Sequence, residues 1–217
     1  MKISLIIPVY NEAQHISQVL KRIPDSVDEV VVVDDGSGDE TPEIVRRFPV
    51  KLISHEKNMG KAIAMNTGIK NSSGDIVVFM DGDMQHDPQD IPKLVEPILA
   101  NDADLTLSVR TLGDRKGMPT HRRFTNFCGN LLIKIFVGYD LKDTQSGFRA
   151  VRREFLRKMH FESVSYEVEM EMLIFAKRFE MRIVEVPIEI RYGKEKSHFK
   201  LRDILRIVKI VLEGRVR

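Results

Sequence analysis

Two apolar, β-branched runs in this chain end in paired carboxylates. Val30-Val-Val-Val33 runs into Asp34-Asp35, and Ile76-Val-Val-Phe-Met80 runs into Asp81-Gly-Asp83. Runs this short and this uniformly apolar suit strands covered on both faces, as in a parallel sheet packed between helices. Ligands of open parallel sheets bind beyond the carboxyl ends of the strands, so these four acids are expected to share one crevice. Asp34-Asp35-Gly36 taken alone is equally a solvated turn, since Asp and Gly are turn residues.

The surrounding pattern agrees with a βαβ series. Residues 3–9, 29–33, 50–53 and 75–80 read as strands, with helices over 12–23, 42–48 and 61–71 between them. A further helix is expected over 88–99, with Asp87 as N-cap and Pro88 in the first position, followed by a strand over 105–109. The second half is less regular. Residues 124–136, 153–159 and 167–179 read as helices, 147–151 as a strand, and 182–191 as two strands broken at Pro187. No linker or repeat divides the chain, which predicts one continuous α/β domain with a nucleotide half (1–110) and an acceptor half (111–198). The polar, glycine-punctuated residues 111–117 read as a loop between them.

At 217 residues, 42% hydrophobic and 30% charged, the chain is long enough for a sizeable core and is not disordered as a whole. Its apolar runs fall far short of the roughly 20 residues that cross a bilayer, so no spanning segment is expected. Residues 2–9 enter a strand without a small-residue cleavage site, unlike a signal peptide. The single cysteine, Cys128, excludes an internal disulfide, fits a reducing compartment and reads as a small core residue. The net charge of +2 hides an asymmetry. Residues 191–217 carry nine basic and three acidic side chains, +6, and the other 190 residues carry −4.

Asp81, Asp83 and Gln85 offer oxygen ligands at alternate positions. Mg²⁺ or Mn²⁺ takes such hard ligands and keeps positions for substrate phosphate, while Gly82 lets a phosphate approach the backbone. An ion there would neutralise charge developing on a diphosphate leaving group. The same string opens phosphatases of the haloacid dehalogenase type, with Asp81 as nucleophile and Asp83 as acid. That pattern expects Thr or Val at position 85 and sits on the first strand, not the fourth. The Asp34-Asp35 pair likewise resembles a response-regulator receiver, whose pair follows strand one. Strand order opposes both.

Six strings in order resemble the family 2 glycosyltransferases of GT-A-type fold, in particular the dolichyl-phosphate mannose synthase and polyprenyl-phosphate glycosyltransferase branch. They are Ile7-Pro-Val-Tyr-Asn-Glu12; Val32-Val-Asp-Asp-Gly-Ser37 with Asp39-Glu-Thr41; Asn58-Met-Gly-Lys61; Met80-Asp-Gly-Asp-Met-Gln-His86; Asp143-Thr-Gln-Ser-Gly-Phe-Arg149; and Glu185-Val-Pro-Ile188. The resemblance covers residues 3 to about 198. It implies a Rossmann-like, mostly parallel central sheet flanked by helices, an inverting hexose transfer from a nucleotide sugar (GDP-mannose first, UDP-hexose as alternative) to dolichyl or polyprenyl phosphate, and Mn²⁺ or Mg²⁺ as cofactor.

The resemblance also assigns residues. Pro8, Tyr10, Glu12 and Asp35 match positions that hold base and ribose; Lys61 and Gly82 fall with the nucleotide sugar; Asp81, Asp83 and Gln85 match the metal and diphosphate site. Arg110, Arg122, Arg123 and Thr125 lie where that branch binds the acceptor phosphate, a task that suits the planar guanidinium fork. Asp83, Asp143 and Arg110 are the catalytic candidates, Asp143 as orienter of the acceptor or support of its own loop. Glu169, in the spaced run Glu167, Glu169, Glu171, matches the general base of members acting on sugar hydroxyls, which is the alternative reaction; a non-catalytic subunit of a membrane partner is the third reading. The chain departs from the pattern after Arg191, where Gly193-Lys-Glu-Lys-Ser-His198 replaces Gly-x-Ser-Lys at a different spacing.

Residues 199–217 form a basic amphipathic helix by pattern. Leu201, Ile204, Leu205, Val208, Val211 and Leu212 share one face, and Arg202, Arg206 and Lys209 another. Packing on the domain or a second subunit and binding to an anionic membrane surface both suit it. The expectation is a cytoplasmic enzyme, peripheral on the cytoplasmic face of the membrane, with scope for a membrane-embedded partner subunit and no nucleic-acid partner.

Overall fold

The computed structural model describes residues 1–110, 127, 129–131, 133–135, 137–159, 161 and 168–190. Its elements run β1 (Ile3–Val9), α1 (Ile16–Lys21), β2 (Glu29–Asp34), α2 (Thr41–Val45), β3 (Lys51–Ser54), α3 (Lys61–Lys70), β4 (Ile76–Phe79), a 3₁₀ turn (Pro88–Asp90), α4 (Ile91–Leu99), β5 (Leu105–Arg110), β6 (Arg149–Arg152), α5 (Arg153–Leu156), α6 (Val168–Arg178) and β7 (Ile183–Ile188). The strands form one sheet in the order β3-β2-β1-β4-β6-β5-β7. The first four pair in parallel, as their apolar runs require. β6 is inserted antiparallel between β4 and β5, and β7 runs parallel to β5 on the edge. This is the mostly parallel α/β sheet of the sequence reading.

Side-chain alternation splits the core between the two faces. On one face Ile3, Leu5, Ile7 and Val9 of β1 pack with Ile16, Val19 and Leu20 of α1 and Ile91, Leu94, Val95 and Ile98 of α4. On the other, Ile6, Val77, Phe79, Leu105 and Leu107 meet Ala62 and Met65 of α3 and Val168, Met170, Met172, Leu173 and Ala176 of α6. No described helix is long and apolar enough to cross a membrane.

Three departures from the sequence expectation concern how an element starts or continues. The first helix begins at Ile16, and before it the backbone donors of residues 11 to 13 go to Ser37 Oγ, Thr41 Oγ1 and Asp39 Oδ2. Asp87 does cap, accepting from Gln89 N at 3.1 Å, but it caps the 3₁₀ turn; α4 starts three residues later with Pro92 in its first turn. Pro187 does not break its strand. β7 is an edge strand, where proline is tolerated. The expected loop at 111–117, Cys128 and residues 191–217 lie outside the described residues.

The β5–β6–β7 end of the sheet is tied by one buried carboxylate. Asp104 Oδ2 accepts from Arg182 N and Nε at 2.9 and 3.0 Å, and Oδ1 accepts from Arg182 Nη2 at 2.8 Å with Arg152 Nε 3.4 Å away. The Arg182 hydrogen bond holds the Asp104 carboxyl below its ordinary 3.8, outweighing burial. A carboxyl depressed in the folded state contributes stability above its unfolded value and loses it as pH falls through the folded value. Asp104→Asn is expected to lower the urea midpoint at about pH 7 and to flatten the acid limb of stability below about pH 4. Urea titrations across that range check both effects.

Candidate active site

Because β1, β2, β4 and β5 run parallel, their carboxyl ends open on one edge, and antiparallel β6 delivers the loop before it to that same edge. Two loops latched together form one wall. Asn11 Oδ1 accepts from Gly38 N at 2.8 Å, Asn11 N donates to Ser37 Oγ at 2.9 Å, and Glu12 N donates to Thr41 Oγ1 at 2.8 Å. Pro8 is half-buried at the end of β1, Tyr10 stands 47% exposed just beyond it, and the Glu12 carboxylate meets His15 Nδ1 at 3.0 Å.

Asp35 lies deeper than a residue directly open to ligand. It is 4% exposed, and its Oδ1 accepts from His55 Nδ1 at 2.7 Å and Met59 N at 3.0 Å while Oδ2 accepts from Gly60 N at 2.7 Å. His55 in turn reaches Thr67 Oγ1 at 3.0 Å. Asp35 therefore fixes the loop that enters α3. Gly36 makes this approach possible: its φ is +73°, and a Cβ there would overlap the backbone of Lys57 and Asn58.

Asp81 is where α3, α6 and the loop before β6 meet. Lys61 Nζ, at the first position of α3, lies 2.5 Å from Asp81 Oδ1 and 2.8 Å from Glu169 Oε1 on α6. Burial works against the Lys61 charge, but the carboxylates of Asp81 and Glu169 outweigh it and raise its pKa above the ordinary lysine value. Glu169 is 5% exposed, and its Oε2 is buried with no hydrogen-bond partner among the described residues. Gly147 presses on the pair: a Cβ there would overlap Asp81 Oδ2 and lie 3.0 Å from Lys61 Nζ. Gly82 is packed against Val9, so its lack of a side chain serves packing beneath the site.

Asp83 is set by its own loop. Its Oδ1 accepts from Gln85 N at 3.0 Å and its Oδ2 from Gln85 Nε2 at 2.6 Å. Between them Met84 adopts φ +62°, a left-handed conformation that costs a non-glycine residue on the order of 1 kcal/mol or more. His86, buried behind, packs its ring 5.0 Å from that of Phe148. Among the described residues no three His, Cys, Asp or Glu side chains converge on one metal position. The donor set is instead two carboxylates and an amide, and Asp81 is a third exposed with an ammonium already on one oxygen. That set fits a hard divalent ion that completes its shell with substrate phosphate and water.

The loop from Asp143 to Gly147 is anchored from every side. Asp143 is buried, with Oδ1 3.3 Å from Gln145 N; Thr144 N and Oγ1 both donate to Asn130 Oδ1; Ser146 and Ser108 share a 2.5 Å hydroxyl contact. Arg149 closes the arrangement. It is 1% exposed and donates from Nε to Ser146 O, from Nη1 to Glu169 O and from Nη2 to Thr144 O, at 2.6 to 2.7 Å. Burial pushes its pKa down to about 10, with Glu169, Asp143 and Asp81 pulling back, so the guanidinium stays charged at neutral pH.

The sheet edge thus brings together Pro8, Tyr10, Glu12, Asp35, Lys61, Asp81, Gly82, Asp83, Gln85, Asp143 and Glu169. Arg110 ends β5 on the same edge, its side chain outside the described residues together with Arg122, Arg123, Thr125, Glu167 and Arg191. Sequence reasoning missed His55, Asn130 and the Lys61–Glu169 pair. The first two carry no local signal. The third had one: a lysine at the first position of a helix opposes the helix dipole, which invites the question of what holds it.

The chain resembles proteins of known activity. The chain is 34% identical to the dolichol-phosphate mannosyltransferase of Pyrococcus furiosus over 96% of its own length and 64% of that protein. It is 32% identical to the UDP-N-acetylglucosamine--dolichyl-phosphate N-acetylglucosaminyltransferase of Methanococcus voltae, over 88% of this chain and 86% of the other. Its fold superimposes with a TM-score of 0.82 on glucosyl-3-phosphoglycerate synthase from Mycobacterium tuberculosis in complex with Mn²⁺, UDP and glucosyl-3-phosphoglycerate, at 27% identity, covering 98% of this chain and 79% of that one. Residues 4–159, which hold the latched loops, Lys61, the Asp81–Asp83 corner and the Arg149 clamp, match the family described as glycosyl transferase family 2; the chain belongs to that family and is a glycosyltransferase.

Proposed function

We propose that the chain transfers a hexose, with inversion, from GDP-mannose to dolichyl or another polyprenyl phosphate. The observation that carries this reading is Asp81, a partly open carboxylate at the sheet edge, flanked by Asp83 and bounded by the loop of Gly147. Pro8 and Tyr10 bound the donor's base, Glu12 the ribose side, and Asp35 acts by fixing the loop that carries Lys61. Mn²⁺ or Mg²⁺ held by Asp81, Asp83 and Gln85 would supply charge neutralisation for the leaving diphosphate.

A phosphate acceptor is already ionised near neutral pH, so it needs positioning more than a base. Arg110, Arg122, Arg123 and Thr125 are the proposed phosphate ligands, and Asp143, buried in its loop, keeps the acceptor side in register. A lipid acceptor is supported by Phe127, Leu131 and Ile135, which recur every four residues and are 64%, 43% and 58% exposed. Residues 127, 129–131 and 133–135 are helical, and Gly129 among them lies toward the site: a Cβ on it would meet Met170, Gln145 and Thr144. With the basic residues 199–217 as a second contact, the enzyme works as a peripheral protein on the cytoplasmic face of a membrane, alone or with a membrane-embedded subunit. The 1–110 half then serves the donor and the 111–198 half the acceptor.

One observation favours a second reading. The unpartnered Glu169 Oε2 is an acceptor available for a proton, as transfer to a glycan hydroxyl or another hydroxyl acceptor from UDP-glucose would require. Its other oxygen is committed to Lys61, which weighs against it.

Under the leading reading, Asp83→Ala abolishes Mn²⁺-supported transfer from GDP-mannose to a short polyprenyl phosphate and leaves the thermal midpoint near wild type; retained turnover refutes the role of Asp83. Gly147→Ala lowers kcat/KM by roughly 10²-fold, the scale on which a misplacement of about 1 Å acts, because the added methyl drives Asp81 and Lys61 apart. The acceptor class is read from pH profiles. With a phosphate acceptor Glu169→Gln keeps the wild-type profile, whereas with Glu169 as base the alkaline plateau disappears.

A further inference from the structure

We infer that Lys61 is a displaceable counter-ion of Asp81, received by the buried carboxylate of Glu169 when a divalent ion takes Asp81. The inference rests on the metal reading above and extends it to Lys61 and Glu169, neither of which is a ligand of the ion.

Four observations converge. The ammonium is shared, 2.5 Å from Asp81 Oδ1 and 2.8 Å from Glu169 Oε1. The two partners are unequal in position: the Asp81 side chain is 34% exposed on the crevice, and that of Glu169 is 6% exposed behind it. Glu169 also holds an unused acceptor, Oε2, buried and without a partner among the described residues. An ammonium has three donors and a carboxylate about four acceptor sites, so the pair can close into a fuller contact without any new group. Finally, the absence of a side chain at Gly147 leaves room beside the ammonium, since a Cβ there would stand 3.0 Å from Nζ.

The physical logic is charge balance. Two carboxylates facing each other at close range cannot both be left without a cation, and a lysine at the positive end of α3 would not stay there for local reasons. Lys61 satisfies both. Once a divalent cation is bound to Asp81, like-charge repulsion acts on the ammonium at the same oxygen, and Glu169 Oε2, on a carboxylate that Lys61 already touches, is a buried anionic acceptor away from the ion. Lys61 therefore competes with the ion for Asp81, and Glu169 weakens that competition by holding the displaced ammonium.

The test measures the Mn²⁺ dissociation constant of the full chain, with Mn²⁺ as the only added ligand, by titration calorimetry and electron paramagnetic resonance. The proteins are wild type, Lys61→Met, Glu169→Gln and the double variant. Lys61→Met is expected to tighten Mn²⁺ binding and Glu169→Gln to weaken it, each by roughly tenfold, the lower end of the range for outer partners of metal ligands. Opposite signs are the signature, because loss of structure weakens binding in both. In the Lys61→Met background, Glu169→Gln is expected to change binding by no more than about twofold, since the coupling runs through the ammonium. The double variant removes both buried charges together and is the one expected to fold best, should Lys61→Met leave Glu169 too poorly compensated. Its binding at least as tight as wild type supports the inference alone.

An equal weakening by Glu169→Gln in both backgrounds overturns the proposal and makes Glu169 a direct electrostatic attractant of the ion. Identical constants in all the proteins overturn it while leaving the Asp81–Asp83 metal site intact. No Mn²⁺ binding by wild type, either here or with GDP added to complete the ion's shell, removes the metal reading itself and this inference with it.

Discussion

A buried guanidinium sets the geometry on which the site depends. Arg149 cannot lose its proton at neutral pH and has almost no access to water, so its donors must be satisfied by the protein around it. They are satisfied by three backbone carbonyls: two in the loop before β6, and one on α6. That single group therefore fixes where the loop of Asp143 to Gly147 lies relative to the helix of Glu169. Gly147 then meets Asp81, and Glu169 meets Lys61, in direct contact. The same economy recurs at Asp35, whose carboxylate orders the entry to α3 and so delivers Lys61 from the opposite direction.

The second organising constraint is topological. Parallel strands place β1, β2 and β4 ends on one edge, which concentrates acids there with no help from the rest of the chain. A crevice made only of acids would repel a diphosphate. The antiparallel insertion of β6 brings the start of that strand, and with it a glycine and a buried arginine, to the acidic edge. Lys61 adds the balancing charge from α3. Elements from both ends of the chain are thereby joined through Asp81, residues 61, 81, 147 and 169 being separated along the chain and adjacent in space.

Much of this was legible from residue pattern. The strands of the first half, the acids at their ends and the mostly parallel sheet followed from short β-branched runs, because burial on both faces leaves a strong local mark. The latch of residues 11 and 13 onto a loop 26 residues away was not legible, since nothing local marks its partners. Nor was the course of β7 through Pro187, which depends on the strand lying at the sheet edge. Asp35 and Asp81 looked alike as acids after strands. One is sealed by three donors and the other a third open, and nothing in their sequence neighbourhoods distinguishes them.

The sequence by itself determined the fold class, the family and the set of chemically capable residues, because hydrophobic period and residue type are local properties that survive without coordinates. Only the tertiary structure decided which acids are open, which are spent on the scaffold, and that Lys61 stands between Asp81 and Glu169. Those facts depend on distances between residues up to 108 positions apart. They are set by the packing of helices on two faces of one sheet, a quantity that no stretch of the chain contains alone.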